Sequence, residues 1–462
     1  MAFLSKLSGF LWGGPLLAAF LIVGGYYSLR TGFFQLWRLP LWWKTTAGSL
    51  LRRRQKAEHG VSQMQALSTA LAAIIGTGSI AGVATAIFYG GPGAVFWMWV
   101  SAILGMMTGF AEKTLAVRYR EKGPDGQWRG GPMEYMGRGL RLPGLAKTFA
   151  FLGMVEALAG SNLAQANSIS TALSSAMGAD KLVVGLVLAV LVSVVLVGGI
   201  KRLGRITELL VPLMAVLFIG GGLAVIAFHW NAVPAAFEQI IRYAFAPKAV
   251  VGGYSMGVAL RYGVARGVFT NEAGLGMSAI VHACADVKEP SEQGMWGIFE
   301  VFFSTMVICT VTALVILTSG VYVPEQAALM IGSGAVPEGM LGAPLVSACF
   351  ATLFGGAGEW IVSVSLILFA FTSLLGAGYC GKRGLEYLTS ARWARAAYHL
   401  LLPACVVLGA VADLTAVWEA VDLLCGLLAI PNLLALILLA PEVLYLLRQW
   451  LGKKNKKNEK LA

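Results

Sequence analysis

Two glycine-bearing stretches hold the residue types that could do chemistry in this chain. The first, Gly76-Thr77-Gly78-Ser79 with Gly82 close behind, interrupts the uncharged run from Ala66 to Tyr89. Each glycine costs about 1 kcal/mol of helix propensity relative to alanine, so the tetrad reads as a break with two exposed helix ends. Freed amides at such a break suit an anion and freed carbonyls a cation; close packing between helices is the competing use of the glycines. The second stretch is RGVFTNEAGLG, from Arg266 to Gly276. Charge beside glycine in mid-span is costly unless protein or water surrounds it, and a second broken helix is expected around Phe269 to Gly274. Arg266 and Glu272 are expected to pair across it.

The elements that must position these stretches are membrane spans. Of 462 residues, 57% are hydrophobic and 13% charged, with a mean hydropathy of +0.74, the composition of a polytopic membrane protein. The net charge of +12 does not point to nucleic acid, because the Lys and Arg lie between apolar spans, as membrane orientation requires. Cys284, Cys309, Cys349, Cys380, Cys405 and Cys425 stand singly, with no CxxC pair, and the four histidines are scattered; neither a disulfide framework nor a metal centre is implied. The run from Leu11 to Leu29 has only Lys6 before it and a basic segment after it. Without a convincing small-residue cleavage site it reads as an uncleaved first helix, its N-terminus outside.

Eleven spans are expected, at 11–29, 62–90, 93–117, 146–176, 182–199, 206–228, 251–282, 293–318, 358–388, 396–411 and 413–448. The last is long and contains Pro431, which should kink or divide it. With eleven spans the clusters Arg30–Lys56, Lys113–Lys147, Lys201–Arg205, Lys382–Arg395 and Arg448–Lys460 fall on one side with Lys288, 29 of the 35 Lys and Arg. That bias puts the C-terminus in the cytoplasm of a cell whose plasma (inner) membrane holds the protein. Residues 33–54 mix Trp, Phe and Leu with Arg and Lys and read as an interfacial, membrane-lying segment. Residues 321–356, rich in Gly and Pro, read as an external loop with short helices, and the tail KKNKKNEK as a solvated, lipid-attracted end.

The two breaks fall in spans two and seven. Five-span halves beginning at each run in opposite senses, because five is odd, and an inverted repeat with paired broken helices is the pattern of a secondary transporter with its site at the midplane. The chain then divides into 1–61 (first helix and interfacial segment), 62–228 and 251–448 (the two halves) and 449–462 (the basic tail).

GGPGAVFWMWVSAILG (Gly90–Gly105) resembles the signature of the alanine/glycine:cation symporters, also called sodium:alanine symporters. NEAGLGMSAIVHA (Asn271–Ala283) and GTGSIAGVATAI (Gly76–Ile87) are similar to that family's other hallmark stretches. The resemblance covers essentially the whole chain. It implies an all-α LeuT-like fold, five plus five inverted helices with one extra at the N-terminus, and sodium-driven uptake of alanine or glycine. Sodium is then a coupling ion, and no cofactor is implied.

The resemblance also suggests roles. The amides of Gly76, Thr77 and Gly78 face the substrate carboxylate. Gln165, three residues from Asn162 on one helix face, hydrogen-bonds the substrate. Phe269 walls the pocket, Asn271 offers its amide oxygen to the substrate ammonium, and Thr270 lines an ion site. Trp360 is either a pocket wall limiting side-chain size or an interfacial belt residue. Thr372 and Ser373 face the first break and hold sodium with the carbonyls of Ala72 and Ile75, while Ser79 helps a second cation site. Glu156 is expected in a gate or an ion pair. A membrane enzyme would need a nucleophile, metal cluster or acid pair for which there is little material, and a channel would show a repeated pore loop or a ring of equivalent groups. Within transport, proton coupling through Glu156 or Glu272 is the alternative.

Overall fold

The computed structural model describes residues 9–50, 60–124, 126–246, 254–334, 336–412 and 414–459; the first residues of the expected spans 251–282 and 413–448, residues 51–54 of the expected interfacial segment and the last three of the tail lie outside them. Lipid offers backbone polar groups no partner, so they satisfy one another within helices. A single short hairpin, Glu121–Lys122 against Trp128–Arg129, is the sheet among the described residues.

The helices that build the site are α1 (Pro15–Arg30), the pair α2 (Gln63–Ile74) and α3 (Ala81–Gly90), α4 (Ala94–Arg118), α5 (Pro143–Val155) and α6 (Asn162–Met177). They are followed by α7 (Lys181–Val197), α8 (Gly199–Phe228), the pair α9 (Met256–Asn271) and α10 (Met277–His282), and α11 (Pro290–Val301) with α12 (Thr310–Thr318). The chain ends with α13 (Gly356–Leu388), α14 (Arg392–Val411), α15 (Leu414–Leu438) and α16 (Ala440–Glu459). A π-helical turn at Glu156–Ser161 joins α5 to α6, and another at Phe302–Cys309 joins α11 to α12. Among the described residues, six helices are long and apolar enough to cross a membrane: α4, α8, Pro290–Thr318, α13, α14 and Val421–Leu438. Pro15–Arg30 and Lys181–Val197 are shorter apolar helices.

Several expected boundaries move. Helix α8 begins at Gly199, not 206, so Lys201 to Arg205 are helical rather than a loop. Pro431 stays inside α15; the long last span divides instead at Leu439, two residues before Pro441, which occupies the first turn of α16 where its missing N–H costs nothing. The tail is solvated as expected at Lys453, Asn455 and Lys456, which are exposed. It continues as α16 to Glu459, buries Trp450, and anchors Lys453 Nζ to Glu289 at 2.8 Å and Lys454 Nζ to Thr45 Oγ1 at 2.7 Å. The stretch after α1 forms short helices at Phe34–Trp37 and Leu39–Thr45. There Trp37 is 80% exposed while Trp42 packs against Phe302 with ring centres 5.7 Å apart. Short helices Pro324–Ser333 and Ala343–Phe354 occupy the long loop before α13.

Between α4 and α5, burial pushes the Glu134 carboxyl up to about 7, against the pull of Arg383 and Arg129. A folded-state value above the unfolded one means that Glu134 is tolerated while protonated, below about 4.5, and becomes a burden as pH rises through the folded value. Glu134→Gln is therefore expected to match the wild type in thermal unfolding at pH 4 and to exceed it at pH 8, by up to about 3 kcal/mol. Equal melting temperatures at pH 8 would show that the carboxylate ionises there without cost.

Candidate functional site

Helix α2 starts from a capping box, in which Ser62 Oγ accepts from the Gln65 amide at 3.1 Å and Gln65 Oε1 accepts from the Ser62 amide at 3.2 Å. At its far end Ile75, with ψ 80°, leaves the ladder, and Thr77–Ser79 makes one tight turn before α3. The amides of Thr77 and Gly78, first in that turn, carry no backbone acceptor, the usual orphans of a helix start. The second break follows α9. Glu272, Gly274 and Gly276 have φ of 51°, 103° and 82°, a left-handed run that glycine adopts at little cost. The ends of α2 and α10 that lie away from the breaks are joined: the Val61 amide donates to Cys284 O at 3.2 Å and the Asp286 amide to Val61 O at 2.9 Å. Arg120 clamps the same strand by donating to the carbonyls of Ala283, Ala285 and Val287. Burial pulls its guanidinium down to about 10.

The two breaks share one cavity. It is lined by Ala73, Ile74, Gly76 and Gly78, by Ser161, Ala164 and Gln165, by Phe269, Glu272 and Leu275, and by Val421 and Cys425 of α15. At about 20 Å³ it is closed down to room for about one water. Of the expected substrate residues, Gly76, Gly78, Gln165 and Phe269 meet here. Thr77 is buried beside them with its hydroxyl unpartnered, as is Gln165 Oε1. Asn271 departs from expectation: its Oδ1 accepts from the Ala273 amide at 3.0 Å. It caps an amide freed by the break, as Asn side chains do at turns, and is not offered to the cavity. Trp360 is 48% exposed near the start of α13 and outside the cavity lining.

Beside Gly76, Ser373 Oγ donates to Ala72 O at 2.9 Å. Ile75 is buried next to this pair. Thr372 turns its hydroxyl into its own helix, donating to Phe369 O at 3.0 Å. Ser79 and Thr270 are buried, the former with an unpartnered hydroxyl; Thr270 Oγ1 donates to Arg266 O at 2.7 Å.

The expected pairing of Arg266 with Glu272 is absent. One helical turn above the break, Arg266 reaches Asp422 of α15 at 3.5 Å and lies 5.7 Å from the centre of the Phe269 ring, because the left-handed turn at Glu272 carries that carboxylate inward. Glu156 makes no ion pair either; its Oε1 accepts from Ser161 Oγ. Neither Glu156 nor Glu272 has a Lys or Arg within ion-pair distance among the described residues.

A buried charged network supports the second break, and the sequence reading missed it by counting Lys113 with the basic cluster Lys113–Lys147 although the expected span 93–117 contains it. Glu112 Oε1 accepts from the Gly274 amide at 2.9 Å and from Asn432 Nδ2 at 2.7 Å. Lys113 Nζ, fully buried, bridges Glu112 at 3.2 Å and Glu300 of α11 at 3.0 Å. His282, at the end of α10, lies 3.6 Å from Glu300 and 2.6 Å from Gln293. The available signal was charge inside the apolar runs of α4 and α11, which in a membrane marks function or fixed structure.

Two helices broken side by side around a closed cavity, with one carbonyl-and-hydroxyl corner and one carboxylate wall, define a secondary transporter rather than an enzyme. The chain belongs to the sodium:alanine symporter family, whose profile matches residues 1–462, and it is an integral membrane transporter of amino acids. It is 39% identical to the sodium/alanine symporter AgcS of Methanococcus maripaludis over 96% of this chain and 95% of that one. It is 40% identical to an uncharacterized transporter of Haemophilus influenzae, covering 94% and 92%. The probable sodium/glutamine symporter GlnT of Bacillus subtilis is 34% identical, covering 96% and 89%. Among solved structures, MhsT in complex with L-phenylalanine superposes with a TM-score of 0.54 at 16% identity, over 83% of this chain and 90% of that one. A variant of the Eremococcus coleocola manganese transporter superposes with a TM-score of 0.52 at 14% identity, over 85% and 81%. Both share the LeuT-like fold; their different cargoes show why substrate must be argued from the site.

Proposed function

We propose that the protein imports small neutral amino acids, alanine and glycine, together with sodium by alternating access, with its N-terminus outside and its C-terminus in the cytoplasm. The observation that carries this reading is the charge pattern of the cavity. Gly78, whose amide is free, stands on one wall with the free amide of Thr77 beside it, and Glu272, without a Lys or Arg partner among the described residues, stands on another, a match for the carboxylate and ammonium of a zwitterion. The Ala72 carbonyl and Ser373 hydroxyl supply hard oxygens without a formal charge, which suits a monovalent cation. The names of the relatives, sodium/alanine and sodium/glutamine symporters, support an amino acid carried with sodium.

The test is uptake of labelled alanine into proteoliposomes with sodium and proton gradients imposed separately. A sodium gradient alone is expected to drive accumulation. Ser373→Ala is expected to raise the half-saturating sodium concentration about tenfold, from loss of a buried polar contact of roughly 1–3 kcal/mol. Proton coupling is the second reading, favoured by two carboxylates, the buried Glu156 and the half-buried Glu272, without a basic partner among the described residues; accumulation driven by a proton gradient in sodium-free buffer would establish it.

Selectivity for size follows from Phe269, which lines the cavity where Trp360 does not. Wild-type protein is expected to exclude leucine, Phe269→Ala to admit it, and Trp360→Ala to leave the substrate range unchanged. Competition of unlabelled leucine against alanine uptake measures all three, and a widened range in the Trp360 variant alone would move the wall to α13.

A further inference from the structure

We propose that a basic pocket between the end of α13 and the start of α14 binds the phosphate-bearing headgroup of an anionic membrane lipid. The pocket, about 370 Å³ and open on one side, is lined by Lys382, Glu386, Arg392, Arg395 and His399. Its one carboxylate is already engaged, because Glu386 pairs with Arg383 and lies 4.0 Å from Arg129. Lys382, Arg392 and Arg395 are left with no acidic partner within ion-pair distance among the described residues.

The backbone adds to this field. Helix α14 starts at Arg392 with no side chain capping its first amides, so the positive end of a 20-residue helix opens between two arginines. Arg395 gives one N–H to the Ser390 carbonyl at 3.3 Å; guanidinium forks without a carboxylate partner, beside the free amides of a helix start, suit the oxygens of a phosphate.

A lipid, not a soluble anion, is indicated by what continues from the pocket. Trp393, Leu400, Leu401 and Leu408 are 77%, 76%, 53% and 60% exposed on α14. Their spacing of seven, eight and fifteen residues from Trp393 keeps them on one face. An apolar stripe running from a cationic cup fits an amphiphile, with its head on Lys382, Arg392 and Arg395 and its chains along the stripe; basic pockets between spans are a recurrent site for anionic headgroups.

The experiment uses the purified full-length protein in a neutral detergent. Thermal unfolding is followed with phosphatidylglycerol, phosphatidylcholine or inorganic phosphate added, and retained lipid is counted by native mass spectrometry. Phosphatidylglycerol is expected to raise the melting temperature and to remain bound, the other two to do neither. Arg392→Gln with Arg395→Gln is expected to weaken phosphatidylglycerol binding about tenfold or more, and Lys382→Gln alone to weaken it less, which keeps the test open should the double variant fold poorly. Arg392→Lys with Arg395→Lys is expected to recover part of the binding, since it keeps charge but not the forked geometry. An unchanged response to phosphatidylglycerol in the glutamine variants overturns the proposal. So does equal protection by inorganic phosphate, which would mark a soluble-anion site, or by phosphatidylcholine, which would mark binding by the chains alone.

Discussion

Lys113→Met is expected to lose most of its folded, monodisperse protein on extraction, the largest stability effect of any single substitution considered. The ammonium is fully buried between Glu112 and Glu300, and removing one partner of a buried ionic set leaves uncompensated charge at a cost of about 3–5 kcal/mol. Methionine fills similar space and is no worse in a helix, so packing and propensity do not account for the loss. Adding Glu300→Gln, which removes one of the stranded charges, is expected to recover part of the yield and melting temperature. Size-exclusion profiles of the single and double variants decide it. A single variant as stable as the wild type would mean that the carboxylates shed their charge freely at that depth.

The second large effect is on transport. A Cβ at Gly76 would stand 2.9 Å from both Gln165 Nε2 and Ser373 Oγ, nearer than such atoms approach, so Gly76→Ala pushes the substrate wall and the expected sodium ligand apart at once. Both are side-chain ends that can swing aside, but they then leave the places where they would hold ligand, and loss of one such buried polar contact lowers affinity roughly tenfold or more. Helix propensity alone would favour the alanine. Gly82→Ala is the control, because a Cβ there meets nothing within 4 Å. Alanine binding is expected to fall in the Gly76 variant, with a higher sodium requirement, and to be unchanged in the Gly82 variant. Equal binding by both would remove the first break from the site.

Both breaks were legible because glycine is expensive in a helix, and GTGS and EAGLG carry several glycines where a span needs none. Arg266 and Glu272 could not be read correctly. They stand six apart, but the left-handed turn at Glu272 separates them, and the partner of Arg266 is Asp422, 156 residues away. Asn271 misled for a similar reason: an amide beside a break is as useful to the chain's own freed N–H as to a ligand. Lys113 lies in the expected span 93–117 yet groups with the basic cluster that follows it, because hydropathy falls there; only packing of α4 on α10 and α11 reveals that it is enclosed.

The splice between Val61 and the strand 284–286 has a mechanical consequence. Half-helices α2 and α10 come from spans far apart in the chain, yet they meet end to end through backbone bonds under the Arg120 clamp. If access alternates as proposed, they are expected to swing as one lever whose two pivots are the breaks themselves. A door of a single leaf is then expected on that side of the membrane, and spin labels placed on α2 and α10 should keep a constant separation through the cycle while both move against α13.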